Sequence, residues 1–116
     1  MALIYERSLS VKTDAEAMKI THVVMLRYEP GYYDERLHEF TLQTFFGLKD
    51  AGIGVRGVTV DRNCYEREGN YDVIISLELD SPDILPIYLR HPLHQEYVRR
   101  DGAHLAARAS IDYERK

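Results

Sequence analysis

The chain has 116 residues, one cysteine, 45% hydrophobic residues and a formal net charge of −4, which together indicate a single domain with a small core. The segment most like a basic cluster contains Arg90, Arg99, Arg100 and Arg108, and acidic residues lie among these arginines. This charge pattern argues against a nucleic-acid partner and predicts a solvated helix face. The lone Cys64 excludes an internal disulfide, and no apolar run approaches the roughly 20 residues of a membrane span, so we expect a soluble, cytoplasmic protein without a membrane partner.

Residues 1–17 fit three interpretations, which the sequence leaves open. Leu9 and Val11 alternate with polar residues as in a short edge strand, the residues from Asp14 onward are compatible with a helix start, and Met18 is compatible with an alternative start of the chain. We therefore treat 1–17 as an N-terminal extension whose order the sequence does not define, and residues 18–116 as the domain.

A first strand is predicted from Ile20 to Tyr28, before a turn at Pro30-Gly31. Alternation divides its side chains between two faces, with Ile20, His22, Val24, Leu26 and Tyr28 on one and Thr21, Val23, Met25 and Arg27 on the other. Both faces are apolar at their centres, which is the pattern of a strand that is covered on both sides.

The middle of the chain predicts one helix and two strands. The helix begins at Asp34, an N-cap residue, and continues to about Lys49. The glycines expected to end it are Gly47, Gly52 and Gly54. A second strand is predicted from Val55 to Asn63, and a third from Tyr71 to Asp80, where every odd position is apolar.

The last third of the chain contains two predicted helix starts. Ser81-Pro82 begins a helix that Pro86 should make short or kinked, and His91-Pro92 begins the next one. The inward residues expected on that second helix are Leu93, Tyr97, Val98 and Leu105. A final strand is predicted from Ser110 to Glu114, with Ala109, Ile111 and Tyr113 on one face.

The predicted order is β-α-β-β-α-β, which indicates an α+β, ferredoxin-like domain with a four-stranded antiparallel sheet and helices on one face. The helices can cover only one face, whereas the first strand is apolar on both. The simplest cover for the second face is the same face of another copy, so we expect a homodimer that forms through the sheet.

The segment from Tyr88 to His94 is the best candidate for chemistry, since it places a phenol and two imidazoles around a helix start. A histidine in the first turn of a helix is biased toward its neutral form, which a general base requires. A turn in the segment would bring Tyr88 beside it as a hydrogen-bond donor to a carbonyl or enolate oxygen. His22, on a largely apolar strand face, would add a polar group to a small-molecule pocket.

Each candidate also has a purely structural interpretation. His91, directly before Pro92, is more simply explained as a helix cap. His22 fits a hydrogen-bonded core histidine somewhat better than a catalytic residue. His91 and His94 without a third ligand at a fixed spacing are not a metal signature, so no metal site is predicted. The sequence also contains no phosphate-binding loop.

Several segments carry a resemblance to a known family. They are Thr21-His22-Val23-Val24-Met25-Leu26, Pro30-Gly31, Asn70-Tyr71-Asp72, Tyr88-Leu89-Arg90-His91-Pro92-Leu93-His94 and Ile111-Asp112-Tyr113-Glu114. On these segments the chain resembles the stress-responsive dimeric α/β-barrel (Dabb) family over about residues 18–115. The resemblance implies a ferredoxin-like fold and a homodimer whose two sheets form a barrel-like core.

The resemblance also implies roles for site residues. The best understood members are polyketide cyclases of the olivetolic acid cyclase type, which close a poly-β-ketone chain by aldol condensation without a cofactor. In them a histidine matching His94 is the base and a tyrosine matching Tyr88 assists it. The histidines that match His22 and His91 lie near the substrate.

Two positions depart from the cyclase pattern. Val73 stands where that cyclase has a histidine, and Pro86 is unusual in the helix that contains it. Two hypotheses therefore stay open. The first is a cofactor-independent lyase or cyclase that acts next to the carbonyl group of a small apolar compound, and the second is a non-catalytic, ligand-binding or stress-related barrel protein.

Overall fold

The computed structural model describes residues 18–115, so the interpretations of 1–17 lie outside the described residues. Its elements in chain order are β1 (Lys19–Tyr28), α1 (Glu35–Asp50), β2 (Val55–Arg62), β3 (Val73–Leu79), α2 (Ile84–Arg90), α3 (Pro92–Asp101), a 3₁₀ turn (Gly102–His104) and β4 (Leu105–Arg115). The predicted α+β, ferredoxin-like order is confirmed, with the second helical segment divided into α2 and α3. Within the described part of the chain, no helix is long and apolar enough to cross a membrane.

The four strands form one sheet in the order β2-β3-β1-β4, and each neighbouring pair is antiparallel. The central strand β1 therefore has β3 on one side and β4 on the other. His22 on β1 lies directly opposite Leu77 on β3 and Asp112 on β4. Residues directly opposite one another share a face of the sheet, so this register places all three side chains on the same face as the rest of the inward set of β1.

Helix α1 begins and ends where the sequence predicts, to within one residue, but it is not broken at Gly47. The Asp34 carboxylate accepts a hydrogen bond from the backbone N–H of Leu37 at 2.9 Å, which caps the helix. Gly47 was expected to break the helix but lies inside it, and the absence of a side chain there allows α3 to approach closely. A Cβ atom at this position would lie 3.0 Å from the Leu93 side chain.

The start of α2 differs from the prediction. Ser81 is not the N-cap, because Ser81 and Pro82 accept backbone hydrogen bonds from Ile84 and Leu85 in a turn that precedes the helix. The helix has seven residues, and Pro86 falls in its first turn, where backbone N–H groups have no partner within the helix. Of the two predicted outcomes, a short helix and a kinked one, the structure contains the short helix.

The start of α3 agrees with the prediction, and its end does not. The Nδ1 atom of His91 accepts a hydrogen bond from the backbone N–H of Leu93, and Pro92 occupies the first helical position. Leu105 was expected on the inward side of this helix but begins β4. Leu93 and Val98, which were also expected inward, are only partly covered, with 38% and 53% of their surface exposed.

The hydrophobic core lies between the sheet and the helices. Most of its deeply buried members come from α1 and β3, including Phe45, Leu48, Ile75, Leu77 and Leu79, and Tyr88 of α2 is buried to the same degree. The opposite face of the sheet carries large apolar side chains that are exposed in the single chain, namely Ile74, Ile111 and Tyr113. One face of the sheet is thus covered by helices, and the other presents apolar surface.

Candidate active site

A cavity of about 280 Å³ lies between the inward face of the sheet and the helices. Its walls include alternate residues of β1, together with parts of α1, α2, α3 and β4. The apolar lining residues are Val24, Leu26, Phe45, Leu89, Val98, Gly102 and Leu105, and the polar or titratable ones are His22, Tyr28, Tyr88, His94, Tyr97 and Arg108. A largely apolar space with a few convergent polar groups is the usual form of a small-molecule site.

His94 is a half-buried residue in the first turn of α3. Its Nδ1 atom lies 3.1 Å from the backbone carbonyl oxygen of Leu89. A carbonyl oxygen only accepts, so Nδ1 carries the proton and Nε2 of the neutral ring holds the lone pair. Burial lowers the pKa of His94 below its ordinary value of 6.5, although the bond to Leu89 acts in the opposite direction. The imidazole is therefore mainly neutral near pH 7.

Tyr88 lies between two imidazoles. Its ring centroid is 4.8 Å from that of His94 and 5.3 Å from that of His22, and both contacts are edge-to-face. Burial raises the pKa of the Tyr88 phenol well above 10, while the charge of Arg108 partly offsets this effect. The phenol therefore keeps its proton near neutral pH and can act as a hydrogen-bond donor.

His22 is buried and paired with a carboxylate. Its Nδ1 atom lies 2.5 Å from Oδ1 of Asp112 on the neighbouring strand. An ionised carboxylate only accepts, so Nδ1 of His22 donates and the lone pair of a neutral ring lies on Nε2. The pair holds the orientation of the imidazole, and the rings of His22, Tyr88 and His94 follow one another along the cavity wall.

His91 is separate from this row. It is not among the residues that line the cavity, and its Nδ1 atom accepts the backbone hydrogen bond that caps α3. The structure therefore brings together three of the four residues that the sequence singles out. Substrate contact by His91 remains a prediction, and its observed contact is architectural.

Val73 and Pro86, the two departures from the cyclase pattern, also lie outside the lining residues of the cavity. Val73 is buried in the core at the start of β3, and Pro86 is exposed in α2.

Two further tyrosines belong to the deep end of the cavity. The hydroxyl of Thr41 donates to the backbone carbonyl of Leu37, so its oxygen must accept from Tyr97, whose own oxygen accepts from Tyr28. The distances along this chain of donors, from Tyr28 onward, are 3.2, 2.7 and 2.8 Å. Burial raises the pKa of Tyr28 and of Tyr97 above 10, so both phenols remain neutral.

The sequence interpretation missed two charged residues of the site, Asp112 and Arg108. Arg108 was assigned to a solvated helix face because the predicted strand began too late, at Ser110. In the structure β4 begins at Leu105, and Arg108 is paired with Leu26 on the inward side of the sheet. Alternation shows that Asp112 and Ile111 lie on opposite faces of the strand, but only the register of β4 against β1 shows that the face of Asp112 is the inward one.

A metal site was not expected, and among residues 18–115 no group of three or more His, Cys, Asp and Glu side chains is placed to hold an ion. The titratable groups at the cavity are instead two histidines, three phenols and one guanidinium. Their chemistry is that of proton transfer and hydrogen bonding.

Solved structures from several organisms have the same fold. A dimeric ferredoxin-like protein of unknown function from Thermobifida fusca is 21% identical, with a TM-score of 0.71 over 85% of this chain and 92% of that one. A Dabb family protein from Mesorhizobium loti is 22% identical, with a TM-score of 0.64 over 83% and 95% of the two chains. The hydroxynitrile lyase of Passiflora edulis is 10% identical, with a TM-score of 0.69 over 86% and 95%. No curated protein matches the chain in sequence.

The family assignment rests on a sequence model. The model of the stress responsive A/B barrel domain, abbreviated Dabb, matches residues 20–115. This range contains His22, Tyr88 and His94, and it covers nearly the whole described part of the chain. The resemblance found in the sequence is confirmed, and the chain belongs to the Dabb family.

Proposed function

We propose that the cavity is the active site of a cofactor-independent enzyme that removes a proton next to a carbonyl group. Such a step begins aldol-type condensations, including those of polyketide cyclases. The observation that carries the proposal is the row of His22, Tyr88 and His94 along the wall of an otherwise apolar cavity. In a space of this kind, each hydrogen bond to developing charge is stronger than in water.

In the proposed step, Nε2 of His94 takes the proton from the carbon beside the carbonyl. The electron pair of the broken C–H bond forms the enolate double bond, and negative charge develops on the carbonyl oxygen. Tyr88 donates a hydrogen bond to that oxygen, since its phenol is neutral. His22, oriented by Asp112, is proposed to contact the substrate beside Tyr88.

The fold is compatible with this class of chemistry. The hydroxynitrile lyase of Passiflora edulis has the same architecture, which supports a lyase-like activity as one use of the fold. The resemblance to polyketide cyclases adds a carbon–carbon bond-forming use. The carbon–carbon bond-forming use begins with enolate formation. The proposed base His94 and the proposed hydrogen-bond donor Tyr88 fit that step directly.

The test is isotope exchange. Wild-type protein is incubated in D₂O with a panel of largely apolar carbonyl compounds, three neutral and one with a carboxylate (2-octanone, 4-phenyl-2-butanone, 1-indanone and 4-oxo-4-phenylbutanoate), and loss of the α-proton signal is followed by NMR. We expect exchange above the buffer rate for at least one member, a loss of about 10²–10⁴-fold in His94→Ala and a loss of about 10²-fold in Tyr88→Phe. His104→Ala, the same change outside the cavity, should leave the rate unaltered.

Exchange at the buffer rate for the whole panel would overturn the proposal, as would an unchanged rate in His94→Ala.

The dependence of the exchange rate on pH gives a second criterion. A general base must be deprotonated, so the rate should rise with pH through the pKa of His94 and then become constant. Because burial lowers that pKa, the rising limb should lie below pH 6.5 in wild type and disappear in His94→Ala.

One observation favours a second candidate, a barrel protein that binds a ligand without transforming it. The bond from His94 to Leu89 links α3 to α2, so this histidine has a structural contact whether or not it is a base. That function predicts ligand-induced shifts of the His22 and His94 resonances with no isotope exchange.

We also propose that the functional unit is a homodimer formed through the outward face of the sheet. The exposed apolar side chains of that face, Ile74, Ile111 and Tyr113, are a large surface for a single small domain to leave in water. The similar protein from Thermobifida fusca is described as dimeric, which supports a dimer here, and the exposed apolar face is the reason for placing the interface on the sheet.

A further inference from the structure

Of residues 18–115, Arg108 is the one arginine or lysine that lines the cavity. It lies directly opposite Leu26 on β1, at a position of the inward face where the corresponding residue of β3 is the buried Val73. The inward residues of β4 from Arg108 onward are all polar and exposed, but Arg108 is the one of them that lines the cavity. The position of a cationic side chain at the wall of a largely apolar space is therefore what needs an explanation.

No ion-pair partner among residues 18–115 supplies that explanation. In this part of the chain no carboxylate lies within 4.0 Å of the Arg108 guanidinium, and Asp112, on the same face of β4, is paired with His22. The side chain is exposed and also contributes to the cavity wall. The guanidinium thus has both its charge and its planar donor pairs available at the opening of an apolar space.

We propose, on the basis of the proposed function, that the substrate is an apolar carbonyl compound with a carboxylate, and that Arg108 binds the carboxylate. A guanidinium matches a carboxylate with two parallel hydrogen bonds. A single cationic side chain among mostly apolar neighbours suits one singly charged carboxylate better than a doubly charged phosphate. Aliphatic or aromatic carbon would occupy the remainder, against residues such as Val24, Phe45 and Leu105.

This arrangement also orients the reaction. With the carboxylate at Arg108, the carbonyl group lies between the charged end and the apolar end of the ligand, along the wall formed by Tyr88 and His94. The Arg108 charge is close enough to both rings to influence them: it opposes the effect of burial on the pKa of Tyr88 and adds to the effect of burial on that of His94. Arg108 is therefore a substrate-binding residue that determines specificity, and His94 remains the base.

Equilibrium binding tests the proposal without any turnover. Calorimetric titrations use two matched pairs of probes that differ only in charge, 3-phenylpropanoate with 3-phenylpropanamide and hexanoate with hexanamide. We expect wild type to bind each acid about tenfold more tightly than its amide, as for a charge-assisted hydrogen-bonded pair. Arg108→Leu should reduce the ratio to about one, and Arg108→Lys should retain part of it.

Arg90→Leu is the matched control, because it removes the same charge from an exposed residue outside the cavity lining and should preserve the preference. Thermal unfolding of each variant verifies folding. Equal affinity for acid and amide in wild type, no binding of either acid, or an unchanged preference in Arg108→Leu would each overturn the proposal. The His94 proposal fails separately, since absent isotope exchange with an intact acid preference would leave the Arg108 site standing.

Discussion

Strands β3 and β4 flank the same central strand, yet their inward faces have opposite characters. On β3 the inward residues Val73, Ile75, Leu77 and Leu79 are all buried. On β4 the apolar Leu105 is inward at the start of the strand, opposite Tyr28, but the later inward residues Arg108, Ser110, Asp112 and Glu114 are all polar and exposed. In this later part of β4 the apolar residues lie on the other face, where Ile111 is 59% exposed.

The difference separates two tasks within one sheet. The inward face of β3 is covered by helices and contributes free energy of folding through apolar burial. The inward face of β4 lies at the edge of the sheet, where Asp112 orients His22 and Arg108 reaches the cavity. The outward apolar residues of β4, Ile111 and Tyr113, stay exposed among residues 18–115, which is why we propose a dimer interface on that face.

The largest effect expected from this comparison is on stability. Leu77→Ala on β3 removes a side chain that is 0% exposed and should lower the free energy of unfolding by about 2–5 kcal/mol. Leu93→Ala, the same substitution at a residue that is 38% exposed, should cost about 1 kcal/mol or less. Urea unfolding at one fixed protein concentration measures both, since the stability of a dimer depends on concentration. Equal costs would remove the distinction between the two environments.

The fold could be predicted from the sequence because its signals are local. The alternation of β3, the Asp34 cap and the His91-Pro92 helix start are each contained within a few residues, and all three are present in the structure. The errors occurred where a contact between distant parts of the chain determines where a helix or strand begins or ends. Gly47 allows two helices to approach and does not end one, and the boundary between α3 and β4 depends on pairing with β1.

The site could be predicted only in part, for the same reason. His94 and Tyr88 are close in sequence, so a turn between them brings their rings together. Asp112 and Arg108 reach the site through the register of β4 against β1, which no local pattern specifies. His91 shows the reverse case, since it lies beside His94 in sequence but its observed contact is a helix cap.

The outward face of β4 gives the next largest prediction. Ile111→Glu introduces a charge at the proposed interface, once in each copy, and should weaken the dimer on the order of 100-fold or more. Ser110→Glu introduces the same side chain at the preceding residue, which is exposed on the inward face of β4. This variant should leave the dimer intact. Light scattering over a dilution series reports the mass. A monomeric wild type would exclude the interface, and dissociation of both variants would show that the two faces are not distinct.

A smaller effect is expected on the inward face of β4. Asp112→Ala leaves the buried Nδ1–H of His22 without its partner and should lower the free energy of unfolding by about 1–2 kcal/mol. The lower part of that range is favoured because the Asp112 side chain is 41% exposed, so water can replace the carboxylate in part. Asp112→Asn retains an acceptor oxygen and should recover most of the loss. If Asn and Ala behave alike, the carboxylate does not hold His22.

The smallest effect on the free energy of unfolding is expected at Arg108. This substitution tests most directly whether the inward face of β4 differs from that of β3. Arg108→Leu removes an exposed side chain with no ion pair among residues 18–115, so the free energy of unfolding should change by no more than about 0.5 kcal/mol. An inward residue that is buried in the core, such as Leu77, should lose much more free energy of unfolding on replacement. Urea unfolding with and without 3-phenylpropanoate separates the two roles, because the acid should stabilise wild type and leave Arg108→Leu almost unaffected. A loss above about 1 kcal/mol in the absence of ligand would place Arg108 among the structural residues of the sheet.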